Sequence, residues 1–121
     1  MKIPHTQLVE ELKKLLDQGH RKFSVEYIAV DEGGKATTLF TDDIIVDDNG
    51  NLQTLRTRAT GVEVDYSSGP AQGKPLAEVI AEGVHSQEHP GTRKLWVIPQ
   101  GQESLEFLVE DAWYLQSPNW Q

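Results

Sequence analysis

The chain has 121 residues, 19 acidic against 11 basic, for a formal net charge of −8 and no cysteine. That length suits one domain able to bury roughly two thirds of its unfolded surface, and the missing cysteine excludes disulfides and thiolate chemistry. The negative charge opposes phosphate backbones and anionic lipid and favours basic partners or cations, so neither nucleic acid nor membrane is expected as a partner. No apolar run approaches the roughly 20 residues that span a bilayer. The N-terminus MKIPHTQLVEELKK is charged and amphipathic rather than the apolar core of a signal peptide. A cytoplasmic protein is expected.

Leu8, Val9, Leu12, Leu15 and Leu16 recur at helical spacing, with Glu10, Glu11, Lys13 and Lys14 on the other face and Gly19 placed to end the helix. A helix near residues 4–18 is predicted. Phe23, Val25 and Tyr27 then alternate with Ser24 and Glu26, which predicts a half-buried strand, and Asp31-Glu32-Gly33-Gly34 marks a turn. The stretch TTLFTDDIIV, residues 37–46, is rich in β-branched and aromatic residues. It runs into Asp47-Asp48-Asn49-Gly50-Asn51, whose Asn-Gly pair suits the positive φ angles of a tight hairpin. The return strand over residues 52–60 is read as continuing through Gly61 into Val62-Glu63-Val64-Asp65-Tyr66.

Residues 67–74 (SSGPAQGK) form a loop by composition. Leu76, Val79, Ile80 and Val84 mark a second amphipathic helix opened by Pro75. Residues 94–98 and 105–109 predict a second strand pair, and an aromatic tail follows with Trp113, Tyr114 and Trp120. The expected fold is a single α+β domain over residues 1–121, in the order α-β-β-β-α-β-β, with two helices packed on an antiparallel sheet. That order, the length and the acidity are similar to those of small dimeric secretion chaperones, a likeness of architecture without a shared motif. The one-sided helices and exposed sheet edges imply a homodimer.

Three groups of residues bear on function. His85-Ser86-Gln87-Glu88-His89 reads as H-x-x-E-H, which supplies two zinc ligands and a general base in one class of peptidase. Pro90 follows directly and disfavours the helical geometry such a site needs at His89, so the two histidines read more simply as helix-end residues. A small metal-dependent enzyme built on His85, Glu88 and His89 is therefore an alternative and not the leading reading.

The second group is the acidic segment 42–51. Asp47, Asn49 and Asn51 match positions 1, 3 and 5 of an EF-hand loop, but Leu52 replaces the glycine of position 6 and Arg58 the glutamate of position 12. An irregular calcium site is the second alternative; the ordinary reading is that hairpin turns collect Asp and Asn for backbone reasons. The third group is the aromatic tail, in which Trp120, beyond Pro118, is the side chain expected to reach a partner.

The leading expectation is a small acidic non-enzymatic protein, of chaperone, immunity or inhibitor type, that captures a basic protein partner without a cofactor. Its expected contact residues are Asp42, Asp43, Asp47, Asp48, Glu63, Asp65 and Trp120, with the six carboxylates sharing one side of the sheet.

Overall fold

Helix α1 (Leu8–Asp17) buries Leu8, Leu12 and Leu15, the spacing that the apolar stripe requires. Each such leucine contributes about 1.5–3 kcal/mol by leaving water. Gly19 adopts φ 94° and lets the chain reverse. The His20 N–H then reaches the Leu15 carbonyl at 3.1 Å and the Gly19 N–H reaches Leu16 at 3.0 Å, closing the last turn as a Schellman motif. These elements belong to a computed structural model that describes residues 2–4, 8–67, 69, 72–86 and 92–109.

The strands are β1 (Lys2–Pro4), β2 (Lys22–Val30), β3 (Ala36–Val46), β4 (Leu52–Ala59), β5 (Val62–Asp65), β6 (Thr92–Pro99) and β7 (Leu105–Val109), with helix α2 (Leu76–Ser86) between β5 and β6. They form one sheet in the order β1-β7-β6-β2-β3-β4-β5. The pairings from β7 to β5 are antiparallel, and β1 adds in parallel to β7. The expected α+β arrangement, an antiparallel sheet with two helices, is the one observed.

Three details depart from expectation. The segment before α1 contributes β1, whose pairing with β7 is a contact between distant parts of the chain that no local pattern announces. The return strand also does not run on through Gly61. Thr60 (φ 52°) and Gly61 (φ 78°) both take positive φ and make a two-residue turn, so β5 folds back on β4 with Ala59 opposite Val62.

The β3–β4 hairpin differs too. Thr60 is the one non-glycine residue with positive φ among the described residues, so at the Asn49-Gly50 pair only Gly50 (φ 80°) is left-handed. The Gly50 N–H closes on the Asp47 carbonyl at 3.0 Å, which makes a three-residue loop with Gly50 at its left-handed position, and a separate one-residue slip in register falls between Ile45 and Val46.

Both helices lie on one face of the sheet. There Leu8, Leu12 and Leu15 of α1 and Leu76, Val79 and Ile80 of α2 meet Phe23, Val25, Ile44, Leu95, Val97 and Phe107 in one buried cluster. The start of α2 is pinned to the hairpin by the Leu76 N–H donating to the Gly50 carbonyl at 3.1 Å. Ser24, Glu26, Asp43, Arg56, Arg58, Lys94 and Trp96 have the opposite strand parity and line the other face. No helix among the described residues is long and apolar enough to cross a membrane.

Candidate functional site

Strand alternation sends Asp42 and Asp43 to opposite faces. Asp42 lies opposite Val25 on one side and Thr57 on the other, in a row of the helix-side face, and is 4% exposed. The Tyr27 hydroxyl donates to its Oδ2 at 3.1 Å and the Thr57 hydroxyl to its Oδ1 at 2.6 Å. Burial raises its carboxyl above the usual aspartate range, and the two hydroxyl donors oppose that rise. The Tyr27 hydroxyl is itself pushed up, first by burial and then by the Asp42 charge. Its ring stacks on Phe40 with centroids 3.9 Å apart and lies against Gly83 of α2.

Asp43 lies on the opposite face. It accepts from Ser24 Oγ at 3.0 Å and forms a two-point ion pair with Arg58, at 3.1 Å from Nε and 3.2 Å from Nη2. Beside it, Lys22, Ser24, Ile45, Thr54, Arg56 and Ile98 surround a shallow cavity of about 570 Å³. Trp96 reaches Glu106 across the same face through its indole N–H at 3.2 Å.

Asp47 is a turn residue. Its Oδ1 accepts the backbone N–H of Asn49 and of Asn51, each at 2.9 Å. Asp48 projects into solvent, 3.4 Å from Arg21 Nε. Among the described residues no group of three or more His, Cys, Asp or Glu side chains is arranged to hold one metal ion.

Glu63 and Asp65 sit on β5, the last strand of the sheet, opposite Arg58 and Arg56 of β4. Asp65 accepts the Ser67 hydroxyl and the Ser67 N–H, which hold its carboxyl below the usual aspartate range, and it lies 3.7 Å from Arg56. Glu63 makes no ion pair or side-chain hydrogen bond among the described residues, because the nearest guanidinium in register, Arg58, is committed to Asp43.

The six expected carboxylates therefore do not form one acidic face. Period-two alternation buries Asp42 beneath the helices; Asp43 and Asp65 are engaged by arginines, and Asp47 and Asp48 occupy a turn. Of the remaining candidates, Trp120, Glu88 and His89 lie outside the described residues, and of His85 only its place in the last turn of α2 is described.

The residues missed by inspection of the sequence are apolar. Val62 (62% exposed), Val64 (41%) and Tyr66 (46%) are the exposed large hydrophobics among the described residues, and all three fall on one short stretch. Val64 extends the row Val25–Asp42–Thr57, and Tyr66 extends Phe23–Ile44–Leu55, the Tyr66 N–H donating to the Leu55 carbonyl at 2.8 Å. These rows are buried where the helices cover them and emerge into solvent at β5. A usable signal was present: Arg56-Thr57-Arg58-Ala59 and Val62-Glu63-Val64-Asp65 are charge-complementary about Thr60-Gly61, as two strands of one hairpin should be. Comparison with protein-family models, curated proteins and solved structures returned no match to this chain.

Proposed function

We propose that the protein is a non-enzymatic binding protein of the cytoplasm that captures a basic segment of another protein, the kind of masking a chaperone, immunity protein or inhibitor performs. The observation that carries this reading is the composition of the sheet's last strand. Val62 and Val64, followed by Tyr66 just past its end, expose apolar side chains on one side of it, and Glu63 and Asp65 place carboxylates on the other. An exposed apolar row on a polar protein is a recurrent mark of an interaction site. The flanking carboxylates and the net charge of −8 select for a basic partner and speed its approach.

The test is a pull-down from the host lysate with the parent chain and with the double variant Glu63→Gln, Asp65→Asn. The reading requires captured proteins of high isoelectric point, released as salt rises because exposed charges are screened over about 8 Å at physiological ionic strength. It also requires the double variant to retain less of them. Capture of acidic or neutral proteins, indifferent to both changes, contradicts it.

A further inference from the structure

Resting on that reading, we infer that the partner binds by strand addition: a basic, extended segment pairs with the free edge of β5 and becomes the eighth strand of the sheet. β5 ends the strand order, and among the described residues no strand lies beyond it. Its hydrogen-bonding phase follows from the Tyr66 N–H donating to Leu55 and from the register Thr57 with Val64 and Ala59 with Val62. In an antiparallel ladder bonded and non-bonded pairs alternate, so Val62, Val64 and Tyr66 turn their backbone groups toward β4. Glu63 and Asp65 turn their N–H and C=O groups outward.

The two edges of the sheet are treated differently. At the far edge β1 is three residues long and contains Lys2 and Pro4, the usual devices that blunt an edge. β5 contains neither lysine nor proline. It offers outward backbone groups, an apolar row on one side and two carboxylates on the other.

The chemistry of the occupant is set by the strand already paired with β5. β4 places Arg56 opposite Asp65 and Arg58 opposite Glu63, with Thr57 and Ala59 opposite the valines. A strand on the free edge meets the same side chains and needs the same alternation, basic residues on one side and small or apolar ones on the other. A second copy of this chain does not fit. Residues opposed in an antiparallel pair share a face, so two-fold pairing of β5 with itself sets Glu63 against Glu63 or Asp65 of the second copy, and like charges directly opposed are destabilising. The twelve residues after Val109 contain no lysine or arginine, so they lack the required charges.

The experiment uses fluorescein-labelled peptide Thr-Arg-Val-Arg-Thr-Arg-Val and fluorescence anisotropy. Its controls are the same peptide with glutamate in place of each arginine, and with its alternate backbone amides N-methylated. The parent chain should bind the basic peptide, less tightly as salt rises, and should not bind the acidic one. Glu63→Gln, which removes one charge and keeps the outward N–H, should weaken binding about 2–5-fold. Glu63→Pro removes that N–H as well and should weaken it about tenfold or more, and N-methylation of the peptide should do the same with the protein unaltered.

Equal binding of the basic peptide by parent and Glu63→Pro, together with equal binding of the N-methylated peptide, overturns strand addition and leaves the basic-partner reading to the pull-down. Failure of the parent to bind the basic peptide overturns the inference at β5, and the pull-down then decides separately whether basic proteins are captured elsewhere. A parent that is dimeric by light scattering and becomes monomeric on Glu63→Pro assigns the edge to a second copy and overturns the inference.

Discussion

Gly83 offers a test in which two effects of opposite sign compete. It lies inside α2, where replacing glycine with alanine ordinarily stabilises a helix by about 0.5–1 kcal/mol. At this position a Cβ would stand 2.6 Å from Cζ and 2.9 Å from Cε2 of Tyr27, and closer still to its hydroxyl oxygen. Carbon atoms in ordinary contact are about 3.5–4.0 Å apart. The ring has little freedom to yield, since it is buried, stacked on Phe40 and bonded through its hydroxyl to Asp42. Overpacking of this kind costs about 1–3 kcal/mol. If the ring swings away, Asp42 loses a hydrogen bond while still buried, which costs about 1–3 kcal/mol. Gly83→Ala should therefore destabilise the fold by about 1–4 kcal/mol, read as a lower urea midpoint with an unchanged slope. In a Tyr27→Phe background part of the clash is gone, so the double variant should be more stable than the sum of the single losses requires. A Gly83→Ala protein as stable as the parent would refute the packing of α2 on the Tyr27–Asp42 pair.

Asp42 binds its proton more tightly folded than unfolded, so between the ordinary aspartate value of 3.8 and its raised folded value the native state holds more protons. Its contribution to stability therefore falls as pH rises through that window. The urea-midpoint difference between Asp42→Asn and the parent should move in the variant's favour as pH rises from below 3.8 toward neutrality, and a difference constant with pH contradicts this. Thr60 is β-branched at φ 52°, so Thr60→Asn, which tolerates the left-handed region, should stabilise by about 0.5–1 kcal/mol in the same assay. Asp47→Ala strips an acceptor from two backbone N–H groups and should destabilise by about 1–2 kcal/mol, equally with calcium or with chelator. A loss seen only with calcium would instead make the loop a cation site.

The parts of the fold that sequence inspection recovers are those whose apolar period matches one element. The stripe Leu8, Leu12, Leu15 identifies α1, and Gly19 its end, because nothing from elsewhere in the chain is needed to satisfy them. The separation of Asp42 from Asp43 was also legible, since Asp42 shares parity with Phe40, Ile44 and Val46, all buried. What concealed it is that an aspartate on an apolar face needs Tyr27 and Thr57 to hold it, one from each neighbouring strand. The turn at Thr60-Gly61 was masked for a local reason: threonine is a poor residue for positive φ, so the sequence reads through it as strand. That misreading hid β5 and, with it, the exposed row Val62, Val64 and Tyr66. Pairing of β1 with β7 depends on a distant partner and leaves no local trace.

The most direct test of the central claim is residue-resolved amide hydrogen exchange by NMR, with and without the peptide Thr-Arg-Val-Arg-Thr-Arg-Val. The Glu63 and Asp65 amides point away from β4 and should gain protection when the peptide is added, while the Val62 and Val64 amides, already bonded to β4, should change little. Unchanged exchange at Glu63 and Asp65 under saturating peptide, or protection that appears only at another surface such as the loop over residues 47–51, would contradict capture of a basic strand along this edge.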